Sequence, residues 1–273
     1  MKKGMVGFII LVLTLCSYAQ EPIRIGIAPH SSPRVLFESH LHVKLFLEAY
    51  LQREVELVTA KSFHEFTKIA NEGKTYDMII TSAHLALLAH KRASYQPMMS
   101  YERGIETVIV VRSKEVLKTA KRPLKVYAQG DISLATLLAQ AWLEELGFKG
   151  EDAIRYDYTI SASDTLACLL LNNQADIVMM SFPNYVHLDT TYKNAITVVY
   201  HSPVLPYNRT YAIKEGNGVS LEKWESALKA FSMSTQGEEH LKVVNLGGFK
   251  MLSKDALDAL EPIAMQAYQR LNP

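Results

Sequence analysis

The sequence has few of the residues that mark several common protein classes. It contains two cysteines among 273 residues, and its acidic and basic residues nearly cancel to a net charge of +1. So few thiols exclude a disulfide-rich scaffold, and so small a net charge gives no support to nucleic-acid binding. The sequence also lacks a zinc-ligand spacing, a phosphate-cradling P-loop and a GxSxG nucleophile motif. We therefore expect no cofactor, no bound metal, no nucleic-acid partner and no enzymatic activity.

The amino terminus has the pattern of a secretory signal. Lys2-Lys3 precede an apolar run from Met5 to Leu15, and Ser17-Tyr18-Ala19 offers small residues where a signal peptidase cuts. The run is shorter than the roughly 20 residues that cross a bilayer. We expect residues 1–19 to be removed and the mature protein to reside in the periplasm. Lipid attachment at Cys16 is a less favoured alternative, because the leucine before it is large.

Short apolar strands alternate with amphipathic helices along the mature chain. Strands are predicted at residues 24–28, 55–59, 76–80, 106–111, 124–128, 155–158, 176–180, 196–201 and 210–213. Helices are predicted at residues 35–51, 63–73, 83–90, 134–146, 164–172, 221–231 and 254–271. A capping box, Ser62-Phe63-His64-Glu65, opens the second helix. This alternation indicates parallel βαβ units.

The two halves of the chain follow the same order of elements. Residues 74–82 and 174–181 each have an aspartate entering an apolar strand and a hydroxyl residue leaving it. Two segments cross between the halves, residues 106–111 and residues 196–213, and prolines interrupt the second. We predict an α/β fold of two similar lobes joined by two hinge crossings. The predicted divisions are residues 20–104 for the first part of lobe 1, 105–203 for lobe 2, and 204–273 for the hinge return and the second part of lobe 1.

The stretch from Val126 to Leu138 is the main candidate for a binding site. It reads as the end of a buried strand, a polar loop and a helix start capped by Ser133. Such a connection directs unpaired backbone N–H groups and the positive end of the helix dipole at one point, which suits an anion. An ordinary strand-to-helix connection is the alternative.

Other polar side chains stand at equivalent ends of the predicted strands, where ligands of open α/β sheets gather. Tyr101 joins them because it lies, with Arg103, just before the first crossing. N-capping or a plain turn is the alternative role for the serines and threonines. The candidate ligand-binding residues are Ser31, Ser32, Thr81, Ser82, Tyr101, Ser133, Thr136, Ser161 and Ser181.

Five short motifs together resemble one known family. They are the opening strand Arg24-Ile25-Gly26-Ile27-Ala28-Pro29, the strand Val55-Glu56-Leu57-Val58, the segment Gly73-Lys74-Thr75-Tyr76-Asp77 before Thr81-Ser82, the helix start Ile132-Ser133-Leu134-Ala135-Thr136, and the crossing Ser202-Pro203-Val204-Leu205-Pro206. This set resembles the phosphate/phosphite/phosphonate-type substrate-binding proteins of ABC transporters, a branch of the type II periplasmic binding proteins.

The resemblance implies two lobes that close on a small oxyanion, which hydroxyls and helix N-termini bind. It also implies an inner-membrane ABC permease as partner, and we expect a monomer. Leu134 and Ala135 stand where the family has adjacent serines and threonines, and His84 stands where it has an aromatic residue. Two alternatives stay open: the same cleft could serve a sensor that signals to a receptor kinase, or an enzyme built on the same fold.

Overall fold

The computed structural model describes residues 21–160, 163–253 and 255–272. The strands are β1 (Ile23–Ile27), β2 (Val55–Val58), β3 (Met78–Ser82), β4 (Tyr95–Tyr101), β5 (Thr107–Val111), β6 (Leu124–Ala128), β7 (Ile154–Asp157), β8 (Ile177–Ser181), β9 (Thr197–His201), β10 (Arg209–Lys214) and β11 (Phe249–Met251). The helices are α1 (Pro33–Ser39), α2 (Leu41–Leu51), α3 (Phe63–Glu72), α4 (Ala83–Ala93), α5 (Val116–Thr119), α6 (Leu134–Glu145), α7 (Ser163–Leu171), α8 (Phe182–His187), α9 (Thr190–Ala195), α10 (Leu221–Ser232), α11 (Thr235–Val244) and α12 (Glu261–Leu271), with a 3-10 turn at Asp258–Leu260.

The strands form two sheets of matching topology, which confirms the predicted fold class. The first has the order β11-β4-β10-β3-β1-β2 and the second has the order β7-β6-β8-β5-β9. In each sheet three parallel strands are followed by an antiparallel strand, β10 in the first and β5 in the second. The second sheet thus repeats the arrangement of the first, with β11 added at the first sheet's edge.

Helices cover both faces of each sheet, so four apolar layers form. In the first lobe Phe66 and Leu88 lie in the layer on one face, and Leu47 and Trp224 lie in the layer on the other. The helices after the second crossing pack back on the first lobe, as predicted, with α10 and α11 on α2 and α12 on α4. Each fully buried aliphatic side chain contributes on the order of 1.5–3 kcal/mol.

The prediction of a single helix over residues 35–51 is wrong, because this stretch forms two helices, α1 and α2. The chain leaves helical geometry at His40, whose φ and ψ are −106° and 10°. The His40 ring Nδ1 donates to the Leu36 carbonyl at 2.8 Å, which stabilises the end of α1.

The last helix starts at Glu261 rather than residue 254, because Pro262 suits only the first turn of a helix.

Two chain segments pass between the sheets. Ile105 and Leu205 pair in an antiparallel bridge, with N–H···O distances of 3.0 and 2.9 Å in the two directions. β5 lies entirely in the second sheet, so the first crossing precedes it and does not include residues 107–111 as predicted. The residues at which the lobes divide stay a prediction.

Cys168, the one cysteine among the described residues, is half-buried on α7, where it accepts a hydrogen bond from the Asn172 amide at 3.2 Å. The apolar pattern predicts that Cys168 is a core residue, but its side chain is only partly buried. Across the described ranges no helix has both the length and the apolar content to cross a bilayer. The predicted signal falls on residues 1–19, outside the described residues.

Three fully buried histidines make the stability of this fold depend on pH. Burial lowers the pKa of His84 and His240 to about 4 and that of His40 to about 3. The His40 Nε2 and the His84 Nδ1 have no hydrogen-bond partner, so protonation would bury an N–H group without an acceptor.

We therefore expect the melting temperature to fall as the pH drops from 6.5 to about 4. Below pH 6.5 the unfolded chain binds protons that the folded chain does not, and each histidine contributes roughly 3 kcal/mol to that loss. Thermal melts across this range check the expectation. His84→Gln, which keeps a donor but does not titrate, should melt with a shallower pH dependence, and an unchanged dependence would contradict the assignment.

Candidate functional site

A cleft between the two lobes contains two connected chambers. The inner chamber has a volume of about 370 Å³ and the outer chamber about 970 Å³. Residues of both lobes line each of them, and the shared wall includes His30, Ser31, Phe63, Gln129 and Asn184. The residues that line only the inner chamber include Ser39, Ser82, Ser133, Leu134, Ala135, Ser181, Asn208, Arg209 and the apolar Val243, Val244 and Leu246. The cleft is where the sheet topology puts a ligand, because the carboxyl ends of β1, β3, β6 and β8 meet there.

Three N-cap serines face the inner chamber. Ser82 precedes α4 and Ser181 precedes α8, both in extended conformation and both without a side-chain hydrogen bond to the helix. Ser133 precedes α6, where its hydroxyl accepts from the Thr136 N–H at 3.2 Å and donates to the Thr136 Oγ1 at 2.8 Å. The serine hydroxyls at residues 82 and 181 therefore remain available to a ligand, whereas that of Ser133 is largely committed to its cap.

Among the described residues that line the inner chamber, Arg209 is the one Arg or Lys, and none is an Asp or Glu. Within the described residues no Asp or Glu forms an ion pair with its guanidinium. Burial lowers the pKa of Arg209, while nearby Tyr101 and Tyr211 oppose that shift, and the group stays protonated at neutral pH. The chamber therefore contains an uncompensated cation.

The sheet register explains why Arg209 reaches the cleft. β10 runs antiparallel to β3, and its first residue pairs with Ser82, the last residue of β3. The start of β10 and the end of β3 therefore lie at the same edge of the sheet. Asn208 holds the start of β10 against the first crossing, because its side chain donates to the carbonyls of Arg103 and Gly104 at 3.1 and 3.2 Å.

Sequence reasoning missed Arg209, although one signal was present. The residue stands directly after the second crossing, at the start of a strand, and a returning antiparallel strand must begin at the edge where the parallel strands end. Recognising β10 as antiparallel would have placed Arg209 opposite Ser82.

His30 lies beside this cation on the wall that both chambers share. Its Nε2 is enclosed without a hydrogen-bond partner, and its ring meets Phe63 edge-on with centroids 5.1 Å apart. Burial, followed by the charge of Arg209 and then His40, lowers the pKa of His30 well below its ordinary value. A neutral imidazole here leaves the positive charge to Arg209.

The loop from Gly130 to Ser133 also connects the lobes. The His64 Nε2 donates to the Asp131 carboxylate, with distances of 2.7 and 2.9 Å to its two oxygens. The Arg270 guanidinium donates to the Asp131 carbonyl at 2.5 Å, and the His84 Nε2 donates to the Ile132 carbonyl at 2.9 Å. The Ile132 side chain is buried in an apolar layer of the first lobe. This stretch therefore has a docking role between lobes that sequence reasoning did not predict.

The predicted site residues separate into groups. Ser31 lines both chambers, Ser32 lines only the outer one, and Ser82, Ser133 and Ser181 line the inner one. Thr81 and Thr136 are buried and line neither chamber; the Thr81 hydroxyl has no partner, and the Thr136 side chain supports Ser133. Ser161 lies outside the described residues.

The placement of Tyr101 corrects the prediction that its side chain reaches the cleft. It is fully buried on β4, where its hydroxyl lies 2.7 Å from both the Tyr211 hydroxyl and the His240 Nε2. Its side chain lies in an apolar layer of the first lobe, close enough to Arg209 for the two groups to interact electrostatically. The neighbouring Arg103 also stays outside the cleft and donates to the Asn245 carbonyl at 2.9 Å.

The sequence of this chain matches a family model described as ABC transporter, phosphonate, periplasmic substrate-binding protein, over residues 25–257. The chain belongs to this family. A search of curated proteins finds no match to the sequence.

Solved structures of similar fold include three from bacteria. PhnD1 from Prochlorococcus marinus, in complex with methylphosphonate, has a TM-score of 0.74 at 13% identity, covering 92% of this chain and 99% of that one. XAC2383 from Xanthomonas citri, bound to chloride, has a TM-score of 0.73 at 16% identity, covering 91% and 99%. A binding protein component of an ABC phosphonate transporter from Pseudomonas aeruginosa has a TM-score of 0.72 at 16% identity, covering 93% and 88%. At these identities the likeness establishes the fold.

Membership of the phosphonate-type family bears on location and partners. Proteins of this family are periplasmic substrate-binding components of ABC importers. Membership therefore implies a periplasmic location, a small ligand and a membrane permease partner. It favours transport over the sensory alternative.

Proposed function

We propose that this protein captures a small oxyanion, phosphonate, phosphite or phosphate, in the inner chamber and delivers it to an ABC permease. The observation that carries the proposal is the Arg209 guanidinium, which lies in the chamber without a carboxylate partner. A half-buried charge without a counterion is costly to maintain, and a tetrahedral oxyanion can pair with a guanidinium through two parallel hydrogen bonds. The ligands named for two structural neighbours, methylphosphonate and chloride, are both anions.

The neutral donors of the chamber support an anion held from both lobes. On the first lobe, the Ser82 hydroxyl lies across from Arg209 in the sheet register. On the second lobe, Leu134 and Ala135 bring the first-turn backbone N–H groups of α6, which have no partner within the helix. These groups replace the side-chain hydroxyls that the family has at this helix start. A ligand that contacts both lobes shifts an open–closed equilibrium toward the closed form, which is the form a permease would receive.

The proposal treats the protein as a binder without catalytic activity. The His64–Asp131 pair is the one carboxylate–histidine pair within hydrogen-bond distance among the described lining residues, and it bridges the lobes at the outer chamber. Among the described contacts one serine hydroxyl of the inner chamber approaches a histidine: the Ser39 Oγ lies 3.0 Å from the His40 Nδ1. That ring nitrogen is directed at the Leu36 carbonyl at 2.8 Å, so it is a donor and cannot act as a base for the serine. A monomer is part of the same proposal.

Calorimetric titration with phosphate, phosphite, methylphosphonate and sulfate tests this function. We expect saturable binding of at least one of these oxyanions at neutral pH, because the chamber offers a cation and hydroxyl donors without a competing carboxylate. An uncharged compound of similar size, such as acetone, serves as the control and should give no heat of binding. Flat traces for all four anions would contradict the proposal.

A further inference from the structure

The outer chamber is much larger than a bare oxyanion requires. Its 970 Å³ lie beside an inner chamber of 370 Å³, and the two share a wall. Pockets that enclose whole organic ligands have volumes of about 300–1,000 Å³. The inner chamber alone exceeds what a bare oxyanion of a few heavy atoms needs, so such an anion would leave the whole outer chamber empty.

The charges of the two chambers differ in sign. Arg209 lines the inner chamber alone, whereas two carboxylates, Asp131 and Asp164, line the outer chamber together with Lys61. Asp131 is paired with His64, so the outer wall has no excess of positive charge to hold a second anion. The anionic group of a ligand therefore belongs in the inner chamber, and the outer chamber disfavours further negative charge.

The rest of the outer wall has the donors and ring faces of a site for a hydroxylated group. The Gln129 amide donates to Ser163 at 3.2 Å and accepts from the Asn184 amide at 2.7 Å, which fixes these polar groups at the junction of the chambers. Phe63 and Tyr158 add aromatic surface on the two lobes. Hydroxyls can add hydrogen bonds to these amides and to the exposed Asp164 carboxylate, whereas a purely apolar substituent would displace water from polar groups without replacing its hydrogen bonds.

We infer that the ligand is an organic phosphate or phosphonate whose uncharged, hydroxyl-bearing substituent, the size of a sugar or nucleoside, occupies the outer chamber. This inference rests on the proposed function, because it assumes that the inner chamber binds the phosphoryl group. Two neighbouring features support this inference. The small inner chamber is cationic, and the large outer chamber beside it is polar and flanked by aromatic rings.

Calorimetric titration of the full mature chain with methylphosphonate, ribose 5-phosphate and adenosine 5′-monophosphate tests the inference. At least one ester should bind ten or more times more tightly than methylphosphonate, since its substituent adds contacts in the outer chamber. If methylphosphonate binds as tightly as both esters or more tightly, the inference is overturned while the proposed function stands. If none of the three binds while phosphate or phosphite does, the inference is overturned and the proposed function stands; if phosphate, phosphite and sulfate also give flat traces, both fail.

A filled-chamber variant locates the effect. Thr159 is exposed and lines only the outer chamber, so Thr159→Trp should remove the preference for the ester while leaving methylphosphonate affinity unchanged. Thr119→Trp, at an exposed position on α5 that lines neither chamber, is the matched control and should leave both affinities unchanged. Retention of the full ester preference in Thr159→Trp would place the substituent elsewhere and overturn the inference.

Discussion

Replacing Arg209 by glutamine should weaken oxyanion binding by about 2–5 kcal/mol, the usual effect of truncating one partner of an enclosed charge pair. Such a loss corresponds to a dissociation constant roughly thirtyfold higher or more. The reason is that no other Arg or Lys lines the inner chamber in the part of the chain that the structure describes, so no neighbouring cation there can substitute for it. Calorimetric titration of the variant with the best wild-type ligand measures the change.

The same variant should not lose stability in the absence of ligand. The guanidinium forms no ion pair within the described residues and is partly desolvated, so its removal relieves a cost rather than breaking a favourable contact. Arg103→Gln is the matched control, because Arg103 lies near the same crossing but outside both chambers. Ligand affinity that is equal in wild type and Arg209→Gln would rule out Arg209 as the anchor of the anion.

Replacing Gly104 by alanine should lower the melting temperature by roughly 5–10 °C, corresponding to a stability loss of about 2–3 kcal/mol. A Cβ atom at this position would lie 2.1 Å from the carbonyl oxygen of Leu205, a distance that backbone atoms cannot accommodate without moving. The displaced strand would strain the Ile105–Leu205 bridge, which joins the two crossings. Thermal unfolding of the ligand-free protein measures the loss.

Gly150→Ala provides the comparison for this substitution. Gly150 has a left-handed φ of +79° and no atom within 4 Å of an added Cβ, so its replacement costs only the backbone strain of about 1–2 kcal/mol. The alanine at position 104 should therefore be the more damaging of the two. Equal melting temperatures for wild type and Gly104→Ala would show that the crossings are not as closely packed as described.

Regular patterns of the sequence predicted most of the elements that build the lobes. The Ser62 cap is present as predicted, with its hydroxyl accepting from the Glu65 N–H at 3.1 Å, and Gly73 ends α3 in the left-handed conformation. The repeated aspartate-to-hydroxyl strands are β3 and β8, which occupy equivalent places in their sheets. Each of these features is determined by residues close together in the sequence, so short sequence patterns are sufficient to predict it.

Elements whose placement depends on distant partners were not predicted. β4 contains Pro97 and several polar residues, so no alternation marks it, yet it pairs with β10 and β11. Tyr101 on that strand was assigned to the cleft from its position in the chain, but its side chain lies on the core face. Whether a strand residue faces the core depends on register, which is set by strands more than 100 residues away.

The candidate site shows the same division. N-capping serines could be predicted from helix-start patterns, and Ser82, Ser133 and Ser181 do line the inner chamber. Arg209 could not be predicted in that way, because an arginine without a motif is most often a solvated surface residue. Its role depends on the antiparallel register with β3 and on the absence of a carboxylate from the chamber lining, and both are properties of the assembled lobes.

A crystal structure of the protein with methylphosphonate tests the central claim most directly. We predict that the phosphonate lies in the inner chamber, with its oxygens within hydrogen-bond distance of the Arg209 guanidinium, the Ser82 hydroxyl and the first-turn N–H groups of α6. A phosphonate bound elsewhere in the cleft, with Arg209 making no contact to it, would contradict the account.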